Sequence, residues 1–217
     1  PAPCLPQLKE AGVIVAPVVP DAKVAQKMEE TGADLVIASG MEAGGFVGSV
    51  STLVTLPQVT AAVQIPVIAA GGIADGRGMA AALALGASGI QMGTRFLLSK
   101  ECTVPDAFKE AMLAAKSKDA VALDSKLRSG PHLRVLRNQT VDALLDYEKG
   151  NEAQAQTYQA RFDGARAEHL LREGNVEETL LGMGQVAGAI TQVLSVEEIL
   201  QRTMQEYRDA VAALPAL

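Results

Sequence analysis

The chain has 217 residues and a formal net charge of −6, and 48% of its residues are hydrophobic although only 3% are aromatic. Its acidic balance, without clustered Lys and Arg, argues against nucleic-acid binding, and no apolar run is long enough to cross a membrane. With only Cys4 and Cys102, it has neither a disulfide framework nor a cysteine metal site, and we expect a cytoplasmic protein.

The first hundred residues alternate apolar runs with helical patterns. The runs lack polar alternation, which is typical of strands buried on both faces in a parallel sheet. The predicted strands are residues 12–19, 33–40, 65–72 and 89–92. The predicted helices are residues 21–32, the part of 51–63 that follows Pro57, and 75–86. This alternation predicts an α/β fold with right-handed crossovers.

After residue 100 the sequence becomes polar and rich in helix-forming residues. We expect residues 101–180 to form a small helical lobe with no further buried strand, and residues 181–217 to be amphipathic helix that returns to the first region. Ser195 and Glu198 have the spacing of a capping box, which predicts the start of the last helix.

Two bare turns follow the third and fourth predicted strands. Gly71 and Gly72 end one strand before a helix, and Gly93 and Thr94 end the next. Glycines allow backbone N–H groups to approach an anion closely, and adjacent turns of this kind form phosphate sites in (β/α)8 enzymes. The pair therefore predicts a phosphate-bearing cofactor, although neither turn has the pattern of a Walker loop or a dinucleotide fold.

Four segments together resemble a known enzyme family. They are PVVPDAKVAQKMEETGADLVIASGMEAGG, IPVIAAGGIADGRGMAAALALGASGIQMGTRFLLSKE, LRVLRNQ and GMGQVAG. They are similar to the FMN-dependent enoyl-acyl carrier protein reductase II (FabK-type) family, which is related to the nitronate monooxygenases, formerly called 2-nitropropane dioxygenases. The resemblance extends over nearly the whole chain.

The resemblance implies a (β/α)8 TIM barrel, of which residues 1–100 would be the second, C-terminal half. The missing N-terminal half-barrel would come from the same or another chain, and relatives suggest a homodimer. The implied reaction reduces an enoyl thioester carried on acyl carrier protein in fatty acid biosynthesis, with FMN as cofactor and NADH or NADPH as co-substrate. Relatives can also use a monovalent cation, but the sequence shows no cluster of metal ligands, and we assign no metal-binding residues.

The resemblance also assigns cofactor-binding positions. Gly71, Gly72, Gly93 and Thr94 match positions that bind the FMN phosphate. Positions near the ribityl chain and the flavin ring complete the expected site: Gln91, Met92, Glu42, Ala43, Gly44 and Gly45.

One position departs from the family pattern. Phe46 stands where relatives have the histidine credited with proton handling or substrate positioning, and a phenyl ring neither donates, accepts nor titrates. Three interpretations stay open: another group or water supplies the proton, the acceptor differs, or this residue was altered. The alternatives to the reductase are a nitronate monooxygenase or NAD(P)H:quinone reductase, and a non-catalytic phosphate-binding half-barrel.

The remaining polar residues have structural interpretations at least as good as functional ones. His132 and His169 are more typical of lobe-packing and helix-face residues, and Cys102 of a small buried residue. A polar cluster could bind a nucleotide phosphate or a phosphopantetheine arm, or could form structural salt bridges; it consists of Arg134, Arg137 and Asn138.

Overall fold

The structure is a computed structural model that describes residues 4–124, 132–150 and 164–215. The chain divides into two compact units. The first contains the residues up to Glu42, Gly48–Met92 and those from Leu200 onward, and the second contains Ala43–Val47 and Gly93–Ile199. No helix within the described ranges combines the length and apolar character needed to cross a membrane.

The first unit is built on a four-stranded parallel sheet, as the sequence predicts. Its strands, in the spatial order β1–β2–β4–β5, are β1 (Val18–Val19), β2 (Val36–Ser39), β4 (Val67–Ala70) and β5 (Gly89–Gln91). Its helices are α1 (Leu5–Glu10), α2 (Ala22–Glu30), α3 (Thr52–Ala62) and α4 (Gly76–Ala84). The Asp21 and Asp75 carboxylates cap α2 and α4 by accepting from Val24 N and Gly78 N, at 2.8 and 2.9 Å.

The two faces of this sheet differ in burial. Across the strands, Val19 pairs with Ala38 and Ala38 with Ala69, and this row belongs to the buried aliphatic core. The neighbouring row contains Val18, which is 57% exposed, and the half-buried Ile37. On the same face as Ile37, the paired residues Ser39 and Ala70 are buried. The predicted burial on both faces is therefore confirmed toward the strand ends but not at Val18.

Two boundaries in the first unit also differ from the prediction. Of the apolar run 12–19, only Val18–Val19 forms a strand, and Ile14 is 74% exposed. Helix α3 begins at Thr52 and includes Pro57, instead of starting after it. Proline lacks only one backbone donor, and the buried Leu56 and Val59 anchor the helix on both sides of it.

The second unit contains an antiparallel sheet that the sequence did not predict. Its strands, in the order β3–β7–β6, are β3 (Gly45–Val47), β6 (Ala120–Leu123) and β7 (His132–Leu136). The prediction of a lobe without further buried strands is therefore wrong. Leu123 and Val135 are buried against Val141 and Leu144 of the following helix, so packing on one face stabilises strands too short to give a clear sequence pattern.

The helices of the second unit frame this sheet. They are α5 (Thr94–Leu97), α6 (Asp106–Ala114), α7 (Gln139–Glu148) and α8 (Gly164–Arg172), with 3-10 turns at Ser117–Asp119 and Gln185–Ala189. Helix α9 (Val196–Ala212) then continues into the first unit.

The capping box at the start of α9 is confirmed. Ser195 N donates to the Glu198 carboxylate at 2.7 Å, and Glu198 N donates to Ser195 Oγ at 3.1 Å. The expectation that α-helix begins near Met183 is wrong, because Gly184 and Gly188 lie in extended and 3-10 backbone.

Candidate functional site

The carboxyl ends of the parallel strands form one edge of the first unit. Ala70 and Gln91 are paired residues at the ends of β4 and β5, so Gly71 and Met92 are the first residues beyond two neighbouring strands. Ligands of open parallel sheets and barrels bind at this edge. Met92 packs partly against the aliphatic core, whereas Gln91 is exposed.

The Gly71–Gly72 turn is bare and conformationally restricted to glycine. The φ angles of Gly71 and Gly72 are +94° and +71°, in the left-handed region that side-chain-bearing residues rarely adopt. Neither backbone N–H donates to another residue in the part of the chain that the structure describes. Two adjacent unused N–H groups on a turn after a strand suit an anion such as a phosphate.

Glu42 links the start of α3 to the Gly71–Gly72 turn through Thr52. Its carboxylate accepts from Thr52 N at 2.9 Å and from Thr52 Oγ1 at 3.0 Å, which satisfies the start of α3. Thr52 Oγ1 also lies 3.0 Å from Gly71 O, and a Cβ on Gly72 would be 3.4 Å from Glu42 Cβ. Glu42 therefore shapes the turn, through a partner, Thr52, that the sequence analysis missed although Ser51 and Thr52 precede an apolar run.

In the second unit, Gly93 and Thr94 form a turn that resembles the Gly71–Gly72 turn. The backbone N–H groups of both residues donate to no other residue within the described ranges. A Cβ on Gly93 would meet nothing within 4 Å, so the space beside it is open. The buried Thr94 side chain is used internally, because its Oγ1 accepts from Gly184 N at 2.9 Å.

Gly44 and Gly45 lie against the same glycine-rich segment, Gly182–Gly184. A Cβ on Gly44 would be 2.7 Å from both Gly184 N and Met183 C. Gly45 has a φ of +79° and open space around its Cβ position. The structure thus brings Thr94, Gly184 and Gly44 together, and the GMG motif at 182–184 is the signal that could have identified this segment.

Phe46 follows these glycines in strand β3. It pairs with Leu133 of β7 and is 65% exposed. Its neighbour Val47 pairs with His132, and alternate residues of a strand point to opposite faces, so His132 lies on the other face of the sheet from Phe46.

The other polar candidates have internal contacts. His132 Nδ1 lies 3.9 Å from Asp124 Oδ1, and His169 Nε2 lies 3.2 Å from Glu173 Oε1 on the exposed surface of α8. Cys102 is half-buried instead of fully buried.

The predicted polar cluster also has structural contacts. Arg134 is buried and donates to Ala120 O, and Arg137 Nε donates to Asp142 at 2.7 Å. Asn138 caps α7 by accepting from Val141 N at 2.9 Å and donates to Thr179 O at 2.8 Å. These contacts favour the structural interpretation of the cluster over a ligand-binding one.

Within each unit, taken by itself, the turn after the strand has groups that fit part of a flavin mononucleotide. The turns Gly71–Gly72 and Gly93–Thr94 each offer backbone N–H groups without an acceptor among the described residues, which suits a phosphate. The open space at Gly45 and Gly93 suits close approach of a large planar group.

Comparisons with known proteins agree with this chemistry. The sequence profile described as "Nitronate monooxygenase" matches residues 2–206. FabK from Thermotoga maritima is 42% identical with a TM-score of 0.89, over 98% of this chain and 66% of its own. Nitroalkane oxidase from Streptomyces ansochromogenes is 29% identical with a TM-score of 0.78, over 98% of this chain and 63% of its own.

A curated relative points in the same direction. A (3aS,4S,5R,7aS)-5-hydroxy-7a-methyl-1-oxo-octahydro-1H-indene-4-carboxyl-CoA dehydrogenase from Rhodococcus jostii is 36% identical over 97% of this chain and 69% of its own length. The parallel βα units therefore belong to a TIM-barrel fold of which this chain covers a part. The chain belongs to the nitronate monooxygenase family of flavin-dependent oxidoreductases.

Proposed function

We propose that the chain is part of an FMN-dependent oxidoreductase that reduces enoyl thioesters of acyl carrier protein with NADH or NADPH. The observation that carries this proposal is the similarity to Thermotoga FabK over 98% of the chain. The bare turns at the strand ends support it, because they offer the donors that a flavin phosphate needs.

When bound, FMN supplies hydride-transfer chemistry, and the protein supplies binding and orientation. In this proposal the N–H groups of Gly71 and Gly72, and those of Gly93 and Thr94, bind the phosphate. Glu42 keeps the first turn in place through Thr52. Gln91, Met92, Ala43, Gly44 and Gly45 are the expected contacts to the remainder of the cofactor.

Phe46 cannot supply the proton that enoyl reduction needs. Its ring holds no proton to transfer, and His132 lies on the opposite face of the same sheet. The proton that accompanies the hydride on the enoyl group therefore comes, in this proposal, from solvent or from another group.

The phenylalanine at position 46 favours a second candidate function. A nitronate monooxygenase or NAD(P)H:quinone reductase on this scaffold would use an acceptor other than an enoyl thioester, and Phe46 replaces the group that an enoyl reductase is expected to use. The relative from Rhodococcus is named for a carboxyl-CoA, which is a thioester, and this supports the first candidate.

We further propose that more strands cover the exposed row of the parallel sheet. Val18, Ile37 and Ile68 are aligned on one face, and Val18 is 57% exposed. A (β/α)8 barrel buries this face inside eight strands. In this proposal the other strands belong to the same protein or to another chain, in a cytoplasmic enzyme that we expect to form a homodimer.

The function is tested by the flavin spectrum and by substrate choice. Purified protein is expected to show a flavin absorption spectrum and to oxidise NADH or NADPH when a crotonyl thioester is added. Turnover with an alkyl nitronate but not with the thioester would replace the first candidate by the second. A colourless protein that does not take up added FMN would contradict both candidates and support the third interpretation, a non-catalytic phosphate-binding half-barrel.

A further inference from the structure

An apolar row crosses the antiparallel sheet from the core to the surface. Leu123 pairs with Leu133, and Leu133 pairs with Phe46. Leu123 is 1% exposed and Leu133 is half-buried, whereas Phe46 is 65% exposed. The row therefore carries a hydrophobic surface from beneath helix α7 out to the edge strand β3.

The backbone that presents Phe46 is held firmly. Gly44 leaves no room for a Cβ beside Met183 and Gly184, and Gly182 approaches Gly45 so closely that its own Cβ would be 3.2 Å from Gly45 N. Residues 45–47 are paired with β7 on the other side. An exposed aromatic ring on such a fixed strand is a preorganised apolar contact surface.

The apolar surface of Phe46 and Leu133 favours some ligands over others. A phenyl ring and a leucine bind apolar carbon, and each additional buried methylene strengthens binding about fourfold. The face of an aromatic ring carries partial negative charge, so a small anion such as a nitronate gains nothing from it. The surface therefore suits an acyl group of several carbons better than a small polar acceptor.

We propose that Phe46 is a specificity-determining residue whose ring binds the hydrophobic acyl group of the thioester substrate. This inference rests on the proposed thioester reductase function and concerns the same site. Phe46 sets the preference for long acyl chains and takes no part in proton transfer, and Leu133 extends the surface beneath it.

The test measures binding of unreactive substrates to the flavin-loaded protein. Butyryl-CoA and octanoyl-CoA, which are saturated, are titrated calorimetrically into the wild type, Phe46→Ala, Phe46→Leu and a control, Leu53→Ala. Leu53 is 67% exposed on α3 and matches Phe46 as an exposed apolar side chain. Flavin content, read from absorbance, is compared for each variant before titration.

We expect the wild type to bind octanoyl-CoA at least tenfold more tightly than butyryl-CoA. Phe46→Ala should raise the Kd for octanoyl-CoA about tenfold and leave the Kd for butyryl-CoA within about threefold. Phe46→Leu should have an intermediate effect, and Leu53→Ala should match the wild type.

Two outcomes separate this inference from the function on which it rests. If the wild type turns over enoyl thioesters but Phe46→Ala or Phe46→Leu keeps its chain-length ratio, the inference is overturned and the function stands. If the wild type carries flavin but binds neither thioester, the reductase function fails and the inference fails with it.

Discussion

Gly40 in the first unit and Gly93 in the second have different surroundings. In the first unit, a Cβ on Gly40 would lie 2.1 Å from Thr52 Oγ1 and 2.3 Å from Thr52 N. In the second, a Cβ on Gly93 would meet nothing within 4 Å. The first glycine allows elements to pack closely, and the second leaves space open, which is what a bound ligand requires.

The sheets of the two units differ in a related way. The antiparallel sheet of the second unit packs Leu123 and Val135 under α7, whereas the parallel sheet of the first leaves Val18 and its row partly exposed. Exposed aliphatic residues along a parallel sheet indicate a surface built to be covered. Among the described residues, packing on α7 therefore buries the centre of the second unit's sheet, while Phe46 at its edge is exposed.

Among the variants considered, we expect Gly40→Ala to destabilise the protein most. The added methyl group collides with the Thr52 backbone, so we expect a loss of about 3 kcal/mol in the free energy of unfolding, or no soluble protein. Urea unfolding followed by circular dichroism measures it.

The matched control for Gly40→Ala is Gly93→Ala in the second unit. Gly93 has a φ of −94° and open space, so this variant should lose less than about 1 kcal/mol. It should nevertheless weaken FMN binding, measured by fluorescence titration. Equal stability losses in the two variants would contradict the distinction between packed and open glycines.

The next effect concerns Thr94 in the second unit. Thr94→Val keeps the shape of the side chain but leaves the buried Gly184 N–H without its acceptor, which costs about 2 kcal/mol of unfolding free energy. Thr94→Ser retains the oxygen and should lose clearly less. Urea midpoints for both variants decide the matter, and a serine variant as unstable as the valine one would show that the hydrogen bond is unimportant.

A smaller effect is expected for Glu42 in the first unit. Glu42→Gln replaces a charge-assisted acceptor of Thr52 N–H by a neutral one, and should cost about 1 kcal/mol. Glu30→Gln, on the exposed end of α2, is the control and should unfold like the wild type. If Glu30→Gln lowered the free energy of unfolding more than Glu42→Gln does, the proposed role of Glu42 in holding Thr52 would be wrong.

The smallest effect is a pH dependence at Glu198 in the second unit. Hydrogen bonds from Ser195 N, Lys100 and Ser195 Oγ lower the pKa of Glu198 from 4.5 to about 2. Because the folded-state pKa is depressed, the stabilisation is present above pH 4.5 and is lost as the pH falls through about 2.

Glu198→Gln tests this dependence. The variant should be slightly less stable than the wild type at neutral pH, and the difference should shrink as the pH falls through about 2, where the wild-type carboxylate becomes protonated. Unfolding midpoints for both proteins across that range measure it, and a difference independent of pH would exclude the ionised cap as its source.

The predictions made from sequence succeeded where one local pattern dominates. Uninterrupted aliphatic runs ending in glycine predicted β2 and β4, and the Ser195–Glu198 spacing predicted the start of α9. The prediction failed at β6 and β7, which bury only one face and depend on pairing between distant segments. Their stability comes from packing on α7, which no short window of sequence contains.

The candidate site was predicted in part for the same reason. The sequence and its family resemblance identified Gly71, Gly72, Gly93 and Thr94 as candidates, but not Thr52 or Gly184, whose roles depend on contacts with residues 10 and 90 positions away. It also could not show that Phe46 lies on the opposite face of a strand pair from His132.

Local periodicity and short motifs were enough to predict the alternation of parallel strands and helices, the glycines at the strand ends and the family of the chain. The folded structure was needed to show which glycines pack against backbone, which have open space beside them, and that Phe46 is exposed on a paired strand. Those properties depend on the distances between residues far apart in the sequence, and such distances are set by packing.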